Sequence, residues 1–208
     1  MIKTLDLIPH GPVIPVIVIH RLEDAVPLAQ ALVDGGVRVL EVTLRTPIAL
    51  ECMREIARSV PGAIVGAGTV RSVDDAKKAL DVGCQFAVSP GYTSPIGLAC
   101  KDIGLPLLPG VATGSEVMQA LADGYEFLKF FPATAAGGIP MLKAFAGPFA
   151  DVKFCPTGGI TPETAPQFLA LPNVPVCGGS WLTPDDAVKQ GDWARITQLA
   201  RGASALRG

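Results

Sequence analysis

A chain of 208 residues, 49% hydrophobic and 17% charged, is long enough for one domain with a sizeable core. A formal charge of -2 and only 6% aromatic residues, with no basic stretch interleaved with aromatics, argue against a nucleic-acid partner. No apolar run approaches the roughly 18 residues that span a bilayer, and Met1 to Pro9, with Asp6 in its middle, lacks a signal-peptide layout, so no membrane and a cytoplasmic location are expected.

The five cysteines (Cys52, Cys84, Cys100, Cys155 and Cys177) are far apart and odd in number, which fits reduced thiols acting as small core residues. With only His10 and His20, a His-rich metal site or a Ser-His-Asp triad is nearly excluded. No metal and no cofactor are expected.

After a short amphipathic start (Ile2, Leu5, Leu7, Ile8), read as a short N-terminal helix, one theme repeats. β-rich runs fall at Val13–Ile19, Val37–Leu44, Ala63–Thr69, Phe86–Ser89, Leu105–Pro109, Phe127–Phe131, Val152–Pro156 and Val174–Gly178. Helical patterns lie between and after them, at Leu22–Asp34, Pro47–Val60, Val73–Val82, Pro95–Ile103, Gly114–Ala122, Ile139–Phe145, Pro162–Ala170 and Trp193–Leu206. Glycines stop several helices, as in Asp34-Gly35-Gly36 and Asp123-Gly124. Alternating βα units imply a parallel sheet covered by helices, and eight of them favour a closed (β/α)₈ TIM barrel over an open sheet. No linker divides the chain, so residues 1–208 are read as a single barrel domain.

In such a barrel the active site lies at the C-terminal ends of the strands. On the second run, Glu41, Thr43 and Arg45 share a face with Val39 by the two-residue period. A carboxylate entering a packed core is a candidate general base, and the arginine fork at the mouth suits a substrate carboxylate. An internal Glu41–Arg45 ion pair with no catalytic part is the alternative. The third run ends Gly66-Ala67-Gly68-Thr69, which lacks the third glycine of a dinucleotide fingerprint. Its glycines admit a ligand or a neighbouring strand, with Thr69 offering a hydroxyl. Ser89-Pro90-Gly91 and Pro109-Gly110 read as tight turns.

In Phe127-Leu128-Lys129-Phe130-Phe131-Pro132, alternation puts Phe127, Lys129 and Phe131 on one face. A lysine desolvated among such neighbours is favoured as the neutral amine, which attacks ketones to form a Schiff base. A lysine snorkelling from a strand end is the alternative. The last two runs end Pro156-Thr157-Gly158-Gly159 and Cys177-Gly178-Gly179-Ser180. Either they are plain turns, or two adjacent glycine-rich ends, each leading to a helix start, cradle a phosphate with backbone N–H groups. Together, these groups suit making or breaking a carbon–carbon bond beside an α-keto acid that carries a distal phosphate.

Glu41-Val42-Thr43-Leu44-Arg45-Thr46, Gly66-Ala67-Gly68-Thr69-Val70, Lys129-Phe130-Phe131-Pro132-Ala133, Phe154-Cys155-Pro156-Thr157-Gly158-Gly159-Ile160 and Gly178-Gly179-Ser180-Trp181 resemble the 2-keto-3-deoxy-6-phosphogluconate aldolases, also called 4-hydroxy-2-oxoglutarate aldolases. The resemblance covers nearly the whole chain. It implies a metal-independent class I aldolase on a (β/α)₈ barrel, usually a homotrimer. Such an enzyme cleaves the phosphorylated keto acid to pyruvate and glyceraldehyde 3-phosphate in the Entner–Doudoroff route, and acts on 4-hydroxy-2-oxoglutarate too. The resemblance assigns the Schiff base to Lys129 and proton transfer to Glu41. Arg45, Thr69, Phe131 and Pro90 fall to the pyruvyl end, and Gly158, Gly159, Gly178, Gly179 and Ser180 to the phosphate. Thr157 falls at the position tied to stereochemical preference at C4, where threonine resembles the gluconate-type enzymes and valine the galactonate-type branch. Two readings outside this family compete: another phosphate-binding barrel enzyme, and a non-catalytic phosphosugar sensor.

Overall fold

The computed structural model describes residues 3–206; Ile2 of the amphipathic start lies outside them. Nine short strand segments form: β1 (Val13–Ile17), β2 (Val39–Thr43), β3 (Ile64–Gly68), β4 (Phe86–Val88), β5 (Leu107–Leu108), β6 (Gly110–Val111), β7 (Phe127–Phe130), β8 (Lys153–Pro156) and β9 (Cys177–Gly179). All ladder pairs are parallel, in one sheet of order β5-β4-β3-β2-β1-β9 and another of order β6-β7-β8. The fifth expected run, Leu105–Pro109, holds β5 alone, and β6 lies just beyond it. Pro109, which has no N–H to donate, separates them, while its carbonyl accepts from the Lys129 N–H at 2.8 Å. An isolated parallel bridge between Thr157 and Gly178 links the end of β8 to β9.

The helices are α1 (Ala25–Asp34), α2 (Ala49–Ser59), α3 (Val73–Asp81), α4 (Ser94–Asp102), α5 (Gly114–Ala122), α6 (Gly138–Phe145), α7 (Ala165–Leu169), α8 (Asp185–Gln190) and α9 (Trp193–Ser204). Their ends carry local signals. At α5, Thr113 and Glu116 form a capping box, the Thr113 hydroxyl accepting from the Glu116 N–H while the Glu116 carboxylate accepts from the Thr113 N–H. After α1 and α5, Gly36 and Gly124 sit at φ of 89° and 78°, as the glycine stops predict. Two elements differ from expectation. Leu22–Asp24 is a 3₁₀ turn ahead of α1, and α8 was not foreseen, its six residues being too few for a periodic pattern.

Strands β1, β2 and β3 are buried on both faces, as a parallel sheet sandwiched between layers requires. Two apolar clusters lie on the two faces. The larger packs strand side chains against helices. The smaller gathers Ile14, Val39, Ile64, Phe86, Val88, Leu108, Phe127, Cys155 and Val176, with at least one residue from each of the eight predicted runs. Its remaining member is Leu7, 1% exposed, on the short N-terminal helix that the sequence predicts, a 3₁₀ helix over Thr4–His10. The last helix packs on the first. The Thr197 and Ser204 hydroxyls donate to the carbonyls of Ala31 and Gly35, each at 3.0 Å, and Gly35 has no room for a Cβ beside Ala200. Among the described residues, no helix is long and apolar enough to cross a membrane.

Candidate active site

Lys129 lies on β7 and Glu41 on β2, on separate sheets, and their side chains meet between them. Lys129 Nζ is 3.1 Å from Glu41 Oε1, with the residues 4% and 2% exposed. Lys129 therefore does not snorkel. The alternative, an internal Glu41–Arg45 ion pair, does not form: the carboxylate pairs with the lysine instead. Alternation carries Glu41 inward from Val39 as predicted, but β2 ends at Thr43, so the period does not govern Arg45. A buried pair of this kind holds only while both partners remain, since a lone buried charge is costly.

The neighbours are shaped around the pair. A Cβ at Gly68 would come within 2.4 Å of Glu41 Oε1, so this glycine makes room for the carboxylate. Gly66 likewise admits the ring of Phe86. The glycines of the third run thus accommodate neighbouring strands. Across the β6–β7 and β7–β8 ladders, Lys129 is flanked by Gly110 and Cys155. The Phe131 ring centroid lies 5.3 Å from Lys129 Nζ. Burial, helped by Cys177, pushes the Cys155 thiol far up.

Arg45 reaches outward from the loop after β2, and its Nε donates to Thr69 Oγ1 at 3.2 Å. Thr69 holds φ at 60°, a left-handed backbone that a β-branched residue adopts only under strain. The loop carrying Arg45 is tied to the end of β1. Thr43 Oγ1 donates to the Ile17 carbonyl at 2.9 Å, and Thr46 Oγ1 to that of Ile19 at 2.8 Å.

A cavity of about 130 Å³ opens above the lysine. Arg45, Lys129, Phe131 and Thr157 line it, together with Gly158, Gly159, Gly178, Gly179 and Ser180. Val16 and Ile160 complete the wall; the sequence reading had not singled out Val16, whose type carries no chemical signal. Glu41 reaches the cavity through Lys129, and Thr69 through Arg45. Pro90 does not line it. Its carbonyl lies where a Cβ on Gly110 would stand, so Pro90 abuts the residue that flanks Lys129.

The glycine-rich ends differ from expectation in one respect. Neither leads directly into a helix. Six residues separate Gly158 from α7, five separate Gly179 from α8, and α8 begins with Asp185 and Asp186, which repel anions. The donors available are those of the loops themselves. Gly158 and Gly159, at φ of 104° and 76°, turn the chain sharply, and the N–H groups of Gly159 and Ser180 have no protein acceptor among the described residues. Gly178 leaves space for Thr157, whose Oγ1 would be 2.1 Å from a Cβ there.

A larger groove, about 470 Å³, lies away from these residues, between the N-terminal 3₁₀ helix and the loops before β5 and β7. Among the described residues, no group of three or more His, Cys, Asp or Glu side chains is placed to hold a metal ion.

Comparison with known proteins agrees with this arrangement. Residues 5–199 match the aldolase family described as KDPG and KHG aldolase. A 2-dehydro-3-deoxy-phosphogluconate aldolase of Pseudoalteromonas atlantica is 51% identical over 98% of this chain and 95% of its own length. A KHG/KDPG aldolase of Escherichia coli is 53% identical over 95% of this chain and 93% of its own. The solved KDPG aldolase of Legionella pneumophila, with pyruvate captured as a covalent carbinolamine, superposes with a TM-score of 0.94 at 49% identity, covering 96% of this chain and 97% of that one. That of Zymomonas mobilis, with 3-phosphoglycerate, gives 0.92 at 49% identity over 97% and 94%. With a buried lysine–glutamate pair under a glycine-lined cavity and half of its residues shared with these proteins, the chain belongs to the KDPG and KHG aldolase family.

Proposed function

We propose that this protein is a class I aldolase that cleaves 2-keto-3-deoxy-6-phosphogluconate to pyruvate and glyceraldehyde 3-phosphate, and also splits 4-hydroxy-2-oxoglutarate to pyruvate and glyoxylate. The observation that carries the reading is the buried contact of 3.1 Å between Lys129 Nζ and Glu41 Oε1 beneath the cavity. The names and bound molecules of the relatives support it.

The amine of Lys129 adds to the keto carbon C2, and loss of water gives an imine. Protonated, that imine is an electron sink. Glu41, directly or through one water, removes the C4 hydroxyl proton as the C3–C4 bond breaks. The bonding pair passes into an enamine of pyruvate, and the aldehyde departs. Glu41 then returns a proton to the enamine carbon, and water hydrolyses the imine to free pyruvate and the lysine. Arg45 holds the pyruvate carboxylate with its terminal nitrogens, since its Nε is already given to Thr69. Phe131 packs on the pyruvyl group, and Pro90 acts on this end through Gly110 beside the lysine. Gly158, Gly159, Gly178, Gly179 and Ser180 hold the distal phosphate, and this fixes the reacting bond over the imine. Thr157, between the two ends, faces C4 and sets the stereochemical preference.

The two sheets are read as one closed (β/α)₈ barrel. The small apolar cluster drawn from all eight predicted runs supports this, as do the Thr157–Gly178 bridge and the packing of α9 on α1. A homotrimer rests on the family resemblance, and a cytoplasmic location on the five widely spaced, odd-numbered cysteines.

Reductive trapping tests the chemistry. Incubation with pyruvate and borohydride, followed by peptide mass mapping, is expected to place a single pyruvyl adduct on Lys129. Lys129→Ala is expected to give no adduct and no turnover. A folded protein that takes no adduct would overturn the aldolase reading in favour of another phosphate-barrel enzyme.

A further inference from the structure

Thr134 does not line the cavity, yet it grips the loop that does. Its N–H donates to the Gly158 carbonyl at 3.1 Å, and its Oγ1 donates to the same oxygen at 3.0 Å. One residue earlier, the Ala133 N–H donates to the Thr157 carbonyl at 2.8 Å. The loop that leaves the lysine strand β7 is therefore stitched to the first glycine-rich turn by three hydrogen bonds.

The planarity of the peptide unit gives this contact a direction. In a trans peptide the carbonyl and the following N–H point opposite ways. Two donors from Thr134 hold the Gly158 carbonyl on their own side, so the Gly159 N–H points away from Thr134. Gly159 lines the cavity and its N–H has no protein acceptor. No side chain fits at position 159, where a Cβ would stand 2.5 Å from Thr134 Oγ1. Glycine with φ of 76° permits the turn, and the threonine hydroxyl chooses which way its peptide faces.

We propose that Thr134 is a positioning residue for anion binding: it fixes the Gly158–Gly159 peptide so that the Gly159 N–H meets the distal phosphate, and it couples that anchor to the strand bearing Lys129. The inference rests on the phosphate reading of the glycine-rich ends given above. Its consequence is selective. Loss of the hydroxyl should weaken phosphate without touching the pyruvyl end.

The test compares the wild type with Thr134→Val, which keeps the shape and removes the donor, and Thr134→Ser, which restores it. Three quantities are read: inhibition of cleavage by inorganic phosphate, KM for the phosphorylated keto acid, and the rate of borohydride-trapped imine formation with pyruvate. One hydrogen bond's worth of positioning predicts that Thr134→Val raises the phosphate inhibition constant and that KM by roughly three- to tenfold. Imine formation should be unchanged, and Thr134→Ser should match the wild type. Phosphate inhibition of the wild type with no change in Thr134→Val would overturn the role of Thr134 and leave the phosphate cradle standing. A parallel fall in imine formation would make the residue a general structural support and overturn the inference too. A wild type that phosphate does not inhibit at all would remove the cradle itself, and Thr134's role with it.

Discussion

Lys129 and Glu41 are 88 residues apart in the chain and share one buried hydrogen bond. Removing the lysine would strand the carboxylate at a cost of about 3–5 kcal/mol, so Lys129→Ala tests stability as well as chemistry. Glu41→Gln is the gentler probe, because the amide keeps the shape and a hydrogen-bonding oxygen for Lys129 while losing the charge and the proton carrier. It is expected to retain the pyruvate adduct on Lys129 while exchanging the pyruvate methyl protons with D₂O at least roughly a hundredfold more slowly. Exchange at the wild-type rate, followed by proton NMR, would remove Glu41 as the base. Alternation along β2 and β7 made the inward placement of both groups legible from sequence. Their pairing was not legible. Arg45, four residues from Glu41, was the nearer candidate, and nothing local says that β7 faces β2 across the interior.

Single elements were legible where their signals are local, as with the Thr113–Glu116 capping box and the glycine stops. Signals failed where the element is short or its neighbour decides the outcome. Pro109 closes the fifth run, so the two-residue β6 just past it carries no signal of its own, and α8 is too brief to show a period. One contact between elements yields a prediction about acid. Asp123, just after α5, accepts from Ser94 Oγ at 2.7 Å, Tyr92 Oη at 2.8 Å and Gln119 Nε2 at 3.3 Å, tying α5 to α4 and the loop before it. The Ser94 hydroxyl first, then the Tyr92 hydroxyl and the Gln119 amide, hold its carboxyl below the usual carboxylate range. The folded state thus binds this proton less readily than the unfolded one. The stabilisation is complete above the ordinary value near about pH 4 and is lost as pH falls through the lower folded value. Asp123→Asn is therefore expected to flatten the acid limb of a Tm-versus-pH curve. An acid limb of unchanged steepness would assign the loss of stability to other carboxylates.

For the molecule as a whole, the cysteines report how tightly the layers close. All five are buried. Burial raises the thiols of Cys52 and Cys100 to about 11 and those of Cys84 and Cys177 to about 12, with Cys155 higher still. The thiolate is the reactive form, so at pH 8 the native protein should take up no iodoacetamide within the time in which the urea-unfolded chain takes up five equivalents. Intact-mass spectrometry would read this, and rapid native labelling at one site would locate an element that opens on its own.

The seat of Leu7 ties together the two ends of the polypeptide. Its partners in the inner cluster include Val176, and β1 has β9 as its second neighbour, with Val13 opposite Cys177. A ribosome delivers Leu7 and β1 first and their last partners more than 160 residues later, so the base of the molecule stays open throughout synthesis. The nascent chain must shield an open strand edge and an unfilled interior until the final segments emerge, which makes this stretch a natural client for chaperones that bind at the exit tunnel.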